Sequence, residues 1–115
     1  MTEPSRTGHV REAEVDWLAM AEGTRRKIMV YEPQMLLMRN AFSAGVRSPL
    51  HSHPHVQASY IVSGLFEITI AGRTERMGPG DAFLIPSGAD HAAHCLEDGE
   101  IIEVFTPIRA DFFPR

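Results

Sequence analysis

A chain of 115 residues with 43% hydrophobic content has the size and composition of one ordinary globular domain with a single core. Its 15 acidic and 11 basic residues give a net charge of -4 and are spread along the chain, which excludes the basic patch of a nucleic-acid binder or of a protein docked on an anionic membrane. A small molecule is the expected partner. The lone Cys95 cannot form an intrachain disulfide and suits a reducing compartment. No apolar run approaches the roughly 20 residues of a membrane helix, and no apolar segment follows the polar stretch Met1 to Gly8. The expected location is the cytoplasm.

Residues 1–14 (MTEPSRTGHVREAE) lack apolar periodicity and read as an arm, mobile or ordered only against a partner subunit. The stretch DWLAMAE at 16–22 is the one candidate helix, about two turns long. The first 26 residues are thus an arm with a possible short helix, and 27–115 form the folded domain. From there on, short apolar runs alternate with Gly, Pro, Asn or Asp, the pattern of an all-β sandwich or barrel. The predicted strands cover 27–31, 35–43, 50–54, 57–63, 65–71, 73–77, 82–86, 90–96 and 100–106. Turns are predicted at Ser63-Gly64, Ala71-Gly72, Pro79-Gly80-Asp81, Ser87-Gly88 and Asp98-Gly99.

Five of the six histidines fall between positions 51 and 94, three of them in HSHPH at 51–55. Alternate residues of a strand share a face, so His51 and His53 can present two imidazoles to one point. Imidazole suits Zn, Ni, Fe, Cu or Co, and ligands from other strands would complete a site. A solvated or hydrogen-bonded histidine pair is the alternative. His55 follows Pro54 and is expected at the rim, and His94, three residues past His91, is turned to the opposite face.

The spacing around these histidines resembles the two cupin motifs. Gly45, His51, His53, Gln57 and Gly64 follow G-x5-H-x-H-x3,4-E-x6-G with Gln in place of Glu. Gly80, Pro86, Gly88 and His91 follow G-x5-P-x-G-x2-H-x3-N, with Cys95 at the Asn position. The resemblance implies an all-β, single-domain cupin fold, a double-stranded β-helix or jelly-roll barrel, and one divalent transition metal held by His51, His53, Gln57 and His91. A neutral amide in place of a carboxylate would leave the ion about one charge more positive and a stronger Lewis acid. A three-histidine site without Gln57 is the other reading. Cys95 is expected to be a small buried apolar residue.

In EIIEVFTPIRADFF, residues 101, 103 and 105 share one strand face. If Phe105 faces the cavity, so does Glu103, and a carboxylate on an inward position is costly unless paired, hydrogen-bonded or functional. Glu103 is therefore the acid/base candidate, or else the ion-pair partner of an arginine such as Arg39 or Arg47. Arg109 is placed to bind a substrate carboxylate or to lie in solvent, and Phe105 to stack on a sugar ring or to pack as core.

The segments RRKIMVYE, HSHPHVQASYIVSGLFEITIAGR, MGPGDAFLIPSGADHAAHCLEDG and IIEVFTPIRADFF together resemble the KdgF family of pectin- and alginate-degrading bacteria. That resemblance implies a small homodimeric cupin that linearises 4,5-unsaturated uronates to 4-deoxy-5-keto uronates. It implies a metal on His51, His53, Gln57 and His91, and active-site roles for Glu103, Phe105 and Arg109. The family carries Asp where this chain has Glu103, and the step from His53 to Gln57 is one residue tighter than in some members. A metal-dependent dioxygenase and a non-catalytic carbohydrate- or metal-binding cupin are the competing readings. Dimerisation through a donated strand 27–31 would cover an open sheet edge.

Overall fold

The computed structural model describes residues 5–113, so Met1 to Pro4 of the expected arm lie outside the described residues. Seven strands form one antiparallel sheet: β1 (Leu18–Ala19), β2 (Thr24–Glu32), β3 (Met35–Phe42), β4 (Val56–Ile70), β5 (Arg73–Met77), β6 (Ala82–Ile85) and β7 (His91–Thr106). Their order is β1-β2-β3-β7-β4-β5, with β6 also paired to β4. The fold is all-β in a single domain, as the resemblance to the cupin motifs implies.

Two strands are longer than the sequence predicts. The runs 57–63 and 65–71 are one strand, β4, and 90–96 and 100–106 are one strand, β7. Ser63-Gly64 and Asp98-Gly99 are not reversals; the β4–β7 register shifts between Ile61 and Phe66. Gly64 has φ +88°, and a Cβ there would lie 2.5 Å from the Gly99 Cα; one on Gly99 would lie 2.3 Å from the Ser63 carbonyl oxygen. Two strands can cross this closely only where neither carries a side chain. The bulge also switches parity: Gln57, Ser59 and Ile61 are buried before it, Phe66 and Ile68 after it.

Two apolar clusters result. Ile61, Phe66, Ile68, Cys95 and Ile101 fill one end of the barrel, and Ile28, Leu36, Met38 and Phe105 the other. Cys95 is buried as expected, and burial raises its thiol pKa.

Three expectations are corrected. No helix forms over 16–22: Leu18–Ala19 pairs with Arg25 and Arg26 instead, closed by a turn in which Met20 N donates to Thr24 O (3.0 Å). A two-turn helix is marginal alone, and strand pairing with Trp17 against Arg25 (4.3 Å to the ring centroid) outweighs it. The arm lies on the barrel, where Arg6 and Tyr31 exchange backbone hydrogen bonds and Glu12 pairs with Lys27 and Arg39. The predicted strand 27–31 belongs to β2 and pairs with β3; on its other side β1 reaches only Arg25 and Arg26, and Arg6 of the same chain bridges Tyr31 and bonds the Ile28 and Met29 carbonyls, so part of that edge is covered by the chain's own arm.

The predicted strand 50–54 is absent as regular structure. His51 makes an isolated bridge to His91, and Val46 and Ser48 bond to Cys95 and Ala93 further along β7. Pro49 and Pro54 have no N–H to donate, which interrupts a continuous ladder. The histidines are positioned by this extended segment and by β7.

Candidate metal centre and cavity

His51, His53 and His91 converge although they come from an extended segment and the start of β7. Ring nitrogens from all three lie within 4.8 Å of one another. His53 and His91 are buried, and the His51 ring is 4.2 Å from that of His91. Each Nδ1 faces a carbonyl oxygen: His51 that of Pro49 (2.7 Å), His53 that of His55 (3.0 Å), His91 that of Ala89 (3.0 Å). A carbonyl only accepts, so Nδ1 carries the proton and donates, leaving each neutral ring an Nε2 lone pair. Backbone anchoring of this kind orients histidine metal ligands. Burial lowers the His91 pKa, which favours the neutral, ligating form.

Gln57, on the inward face of β4, completes the arrangement. Its Nε2 donates to Ser59 Oγ (3.1 Å) and to Glu103 Oε1 (3.2 Å), which turns Oε1 toward His53 Nε2 at 3.1 Å. Two lone-pair atoms thus face each other. That is the roughly 3 Å separation of neighbouring donors around a first-row ion with bonds of about 2.1 Å. The donor set of three imidazoles and one amide oxygen therefore fits a divalent transition metal, and Gln57 sits with the histidines.

Glu103 lies behind Gln57. It pairs across the sheet with Ser59 on β4 and Met38 on β3, and it accepts hydrogen bonds from Asn40 Nδ2 and Gln57 Nε2. No ion pair reaches it among the described residues. Arg39 is engaged by Glu100 (2.8 Å) and Glu12 (3.0 Å), and Arg47 is exposed at the cavity mouth. Burial pushes the Glu103 carboxyl up to about 7, against the opposing pull of the Asn40 hydrogen bond and the charges of Arg26 and Arg109.

A cavity of about 480 Å³ joins these groups, lined among others by the three histidines, Gln57, Glu103 and Phe105. That is ample for a monosaccharide. Phe105 is buried beneath it, 5.8 Å from the His53 ring. Arg109 also lines the cavity, its guanidinium 5.3 Å from the Phe105 ring and 4.1 Å from Phe112, and Asp111 holds it bidentately at 2.8 and 3.1 Å. His55 stands outside the three-histidine cluster with its ring 6.5 Å from Phe105. His94 faces outward to Glu67 (3.3 Å).

Three groups of the site do not emerge from motif spacing: Arg26 and Asn40 in the cavity wall, and Ser59, which accepts from Gln57. Parity carried a signal for two of them. Asn40 follows Leu36 and Met38 on the inward face of β3, and Ser59 lies between Gln57 and Ile61 on that of β4. A polar residue on an otherwise apolar inward face is the mark of a site. Arg26 enters through the β2–β3 register, opposite Asn40, which no local pattern encodes.

A cupin domain profile matches residues 41–106. The chain is 32% identical over 101 residues to the pectin degradation protein KdgF of Dickeya dadantii (strain 3937), covering 86% of this chain and 92% of that protein. Among solved structures it is similar to KdgF from Halomonas sp., with a TM-score of 0.88 and 34% identity over 94% of this chain and all of that one. It is also similar to an RmlC-like cupin from Shewanella frigidimarina NCIMB 400, with a TM-score of 0.91 and 27% identity over 95% of this chain and 98% of that one. Among the described residues no helix is long and apolar enough to cross a membrane. With the cupin motifs folded around one histidine cluster and most of its length matched by these relatives, the chain belongs to the cupin family and, within it, to the KdgF group.

Proposed function

We propose that this protein is a metal-dependent enzyme that linearises 4,5-unsaturated uronates to 4-deoxy-5-keto uronates. The observation that carries the reading is the chain of contacts from the histidine cluster through Gln57 to Glu103, inside one cavity of monosaccharide size. The pectin-degradation role in the name of the Dickeya relative supports the substrate class.

His51, His53, Gln57 and His91 would hold one divalent ion per chain. When bound, that ion supplies Lewis-acid stabilisation of negative charge developing on oxygen. The protein's own groups do the rest. Arg109 contributes a guanidinium at the cavity rim, where it adds to the attraction for an anionic sugar, and Phe105 gives the cavity an apolar floor that excludes water. The reaction is an isomerisation. The hemiacetal O1–H loses its proton, the C1–O5 bond breaks as C1=O forms, and the resulting enol at C4–C5 becomes a ketone as C4 gains a proton. Glu103 relays that proton from oxygen to carbon. No electrons leave the substrate, so no oxidant is needed.

The same reading makes the protein a cytoplasmic homodimer. The outward face of β4 and β6 supports a partner surface, with Val56, Tyr60, Val62 and Leu84 exposed. Sedimentation equilibrium checks it, a monomer at all concentrations being the contrary result.

The test of the reaction is proton NMR of unsaturated galacturonate with metal-loaded protein. Loss of the vinyl signal faster than the spontaneous rate, without O₂ uptake, is the expected result. No acceleration with any divalent metal sinks the uronate assignment.

A further inference from the structure

We infer that Arg26, held beside Asn40, forms the principal anion-binding subsite of the cavity, taking a carboxylate. The inference rests on the reading of an anionic-sugar substrate and adds to it the residue that selects the charge.

Two guanidinium groups line the cavity, and they differ in what already neutralises them. Arg109 is clamped by both oxygens of Asp111, which lowers the Asp111 pKa and balances the Arg109 charge with a carboxylate of its own chain. Arg26 forms no ion pair among the described residues, and its buried Nε has no hydrogen-bond partner. Both groups lie 4.1 Å from the Phe112 ring centroid. Phe112 thus fixes the orientation of Arg26 by stacking and satisfies none of its donors.

A donor buried without an acceptor is a standing cost to a folded protein, and such groups mark places completed by a ligand or water. Directly across the β2–β3 ladder from Arg26 sits Asn40. Asn40 donates Nδ2 to Glu103, while its buried Oδ1 has no partner. One unfilled donor and one unfilled acceptor therefore stand on paired positions of neighbouring strands, beside the acid/base candidate. The complement of a guanidinium without an ion-pair partner is an anionic acceptor. A sugar acid offers one, and a neutral sugar does not.

The position also suits the chemistry. Asn40 bridges from this subsite to Glu103, so a carboxylate held by Arg26 brings the adjacent carbon and its oxygen toward the Glu103 carboxyl. Arg109, already compensated, then shapes the rim and adds a weaker contact. The charge selectivity of the cavity resides in Arg26.

The experiment compares binding of galacturonate, which is saturated and cannot proceed to the enol, with its methyl ester. Calorimetric titration of the metal-loaded protein is run on wild type, Arg26→Gln, Arg26→Lys and Arg109→Gln, with metal content and circular dichroism measured on each. Wild type is expected to prefer the acid over the ester by tenfold or more. Arg26→Gln loses that preference, Arg26→Lys keeps part of it because the charge remains while the fork is lost, and Arg109→Gln keeps most of it. Preference unchanged in both Arg26 variants overturns the inference and leaves the uronate reaction standing. No preference in wild type overturns it as well. A preference lost with Arg26 in a protein that does not linearise unsaturated uronate upholds the subsite and removes the proposed reaction, so the two can fail separately.

Discussion

Gln57 donates one amide hydrogen to Glu103 at 3.2 Å while its oxygen faces His53 at 3.1 Å. A single neutral side chain therefore connects the metal-binding face of the cavity to its acid/base group. A carboxylate at position 57 has no hydrogen to give and would stand beside Glu103 as a second negative charge. The amide permits a carboxylate at 103 to sit against the ligand set without like-charge repulsion.

Gln57→Glu is accordingly expected to divide the two properties. The added charge strengthens divalent-ion binding, by about tenfold, as changes next to a metal often do. It also drives the Glu103 carboxyl toward its protonated form and removes its hydrogen-bond donor. Linearisation should slow by about 10²-fold, the lower range for losing a positioned proton carrier. Competition titration with a metal indicator and the vinyl-loss assay measure the two effects. Tighter metal binding with an undiminished rate would show that the amide contact to Glu103 is incidental.

Shortening Glu103 tests reach. Its carboxylate is held by Asn40 and Gln57 together, and Glu103→Asp withdraws it by one methylene from both. The rate should fall about tenfold or more, because positioning errors of about an ångström can cost 10²-fold. Glu103→Gln should be slower still, with metal content unchanged. If Asp at 103 matches or exceeds wild type, the extra methylene in this chain has no positioning role.

The metal-free protein should show the Glu103 carboxyl in its stability. Its folded pKa of about 7 lies above the ordinary 4.5, so between those values the folded state binds more protons than the unfolded one. The stabilisation from protonated Glu103 is full below about pH 4.5 and is lost as pH rises through about 7. Glu103→Gln removes this dependence. The difference in Tm between wild type and variant should therefore shift in the variant's favour by about 10 °C from pH 5 to pH 8, the size that roughly 2 kcal/mol produces in a domain of this length. A constant difference across that range contradicts the assignment.

What the sequence revealed and what it withheld divide along local and nonlocal lines. The histidine spacing, Gln57, and the shared parity of Ile101, Glu103 and Phe105 are short-range patterns, and these residues do come together around one cavity. Strand ends at Ala71-Gly72 were also legible, because β4 and β5 are joined there by a tight turn. Arg26 and its place opposite Asn40 depend on β2–β3 pairing, which only the folded register supplies. The helix expected at 16–22 failed for the same reason: its weak local preference yields to pairing with β2. At Gly64 and Gly99 the residue type was informative and its meaning ambiguous, since glycine serves a reversal and a bulge equally well.

The last point yields a stability prediction. Gly99→Ala would place a methyl group 2.3 Å from the Ser63 carbonyl oxygen and near the Gly64 Cα at 2.7 Å, both backbone atoms. Neither neighbour can yield by a rotamer change, so the long strands must separate at their crossing. The cost should be about 3 kcal/mol or more, within the range for severe steric and backbone disruption. Gly72→Ala is the comparison: its φ of +84° is also unfavourable for alanine, but open space surrounds it, so only the conformational cost of about 1 kcal/mol applies. Urea denaturation of both variants separates the effects. If Gly99→Ala is no worse than Gly72→Ala, the crossing is looser than described and the division of each strand into two cavity walls does not depend on it. If it unfolds the protein while Gly72→Ala survives, the paired glycines are what allow β4 and β7 each to serve both ends of the barrel, bringing His91 and Glu103 on one strand into the same cavity.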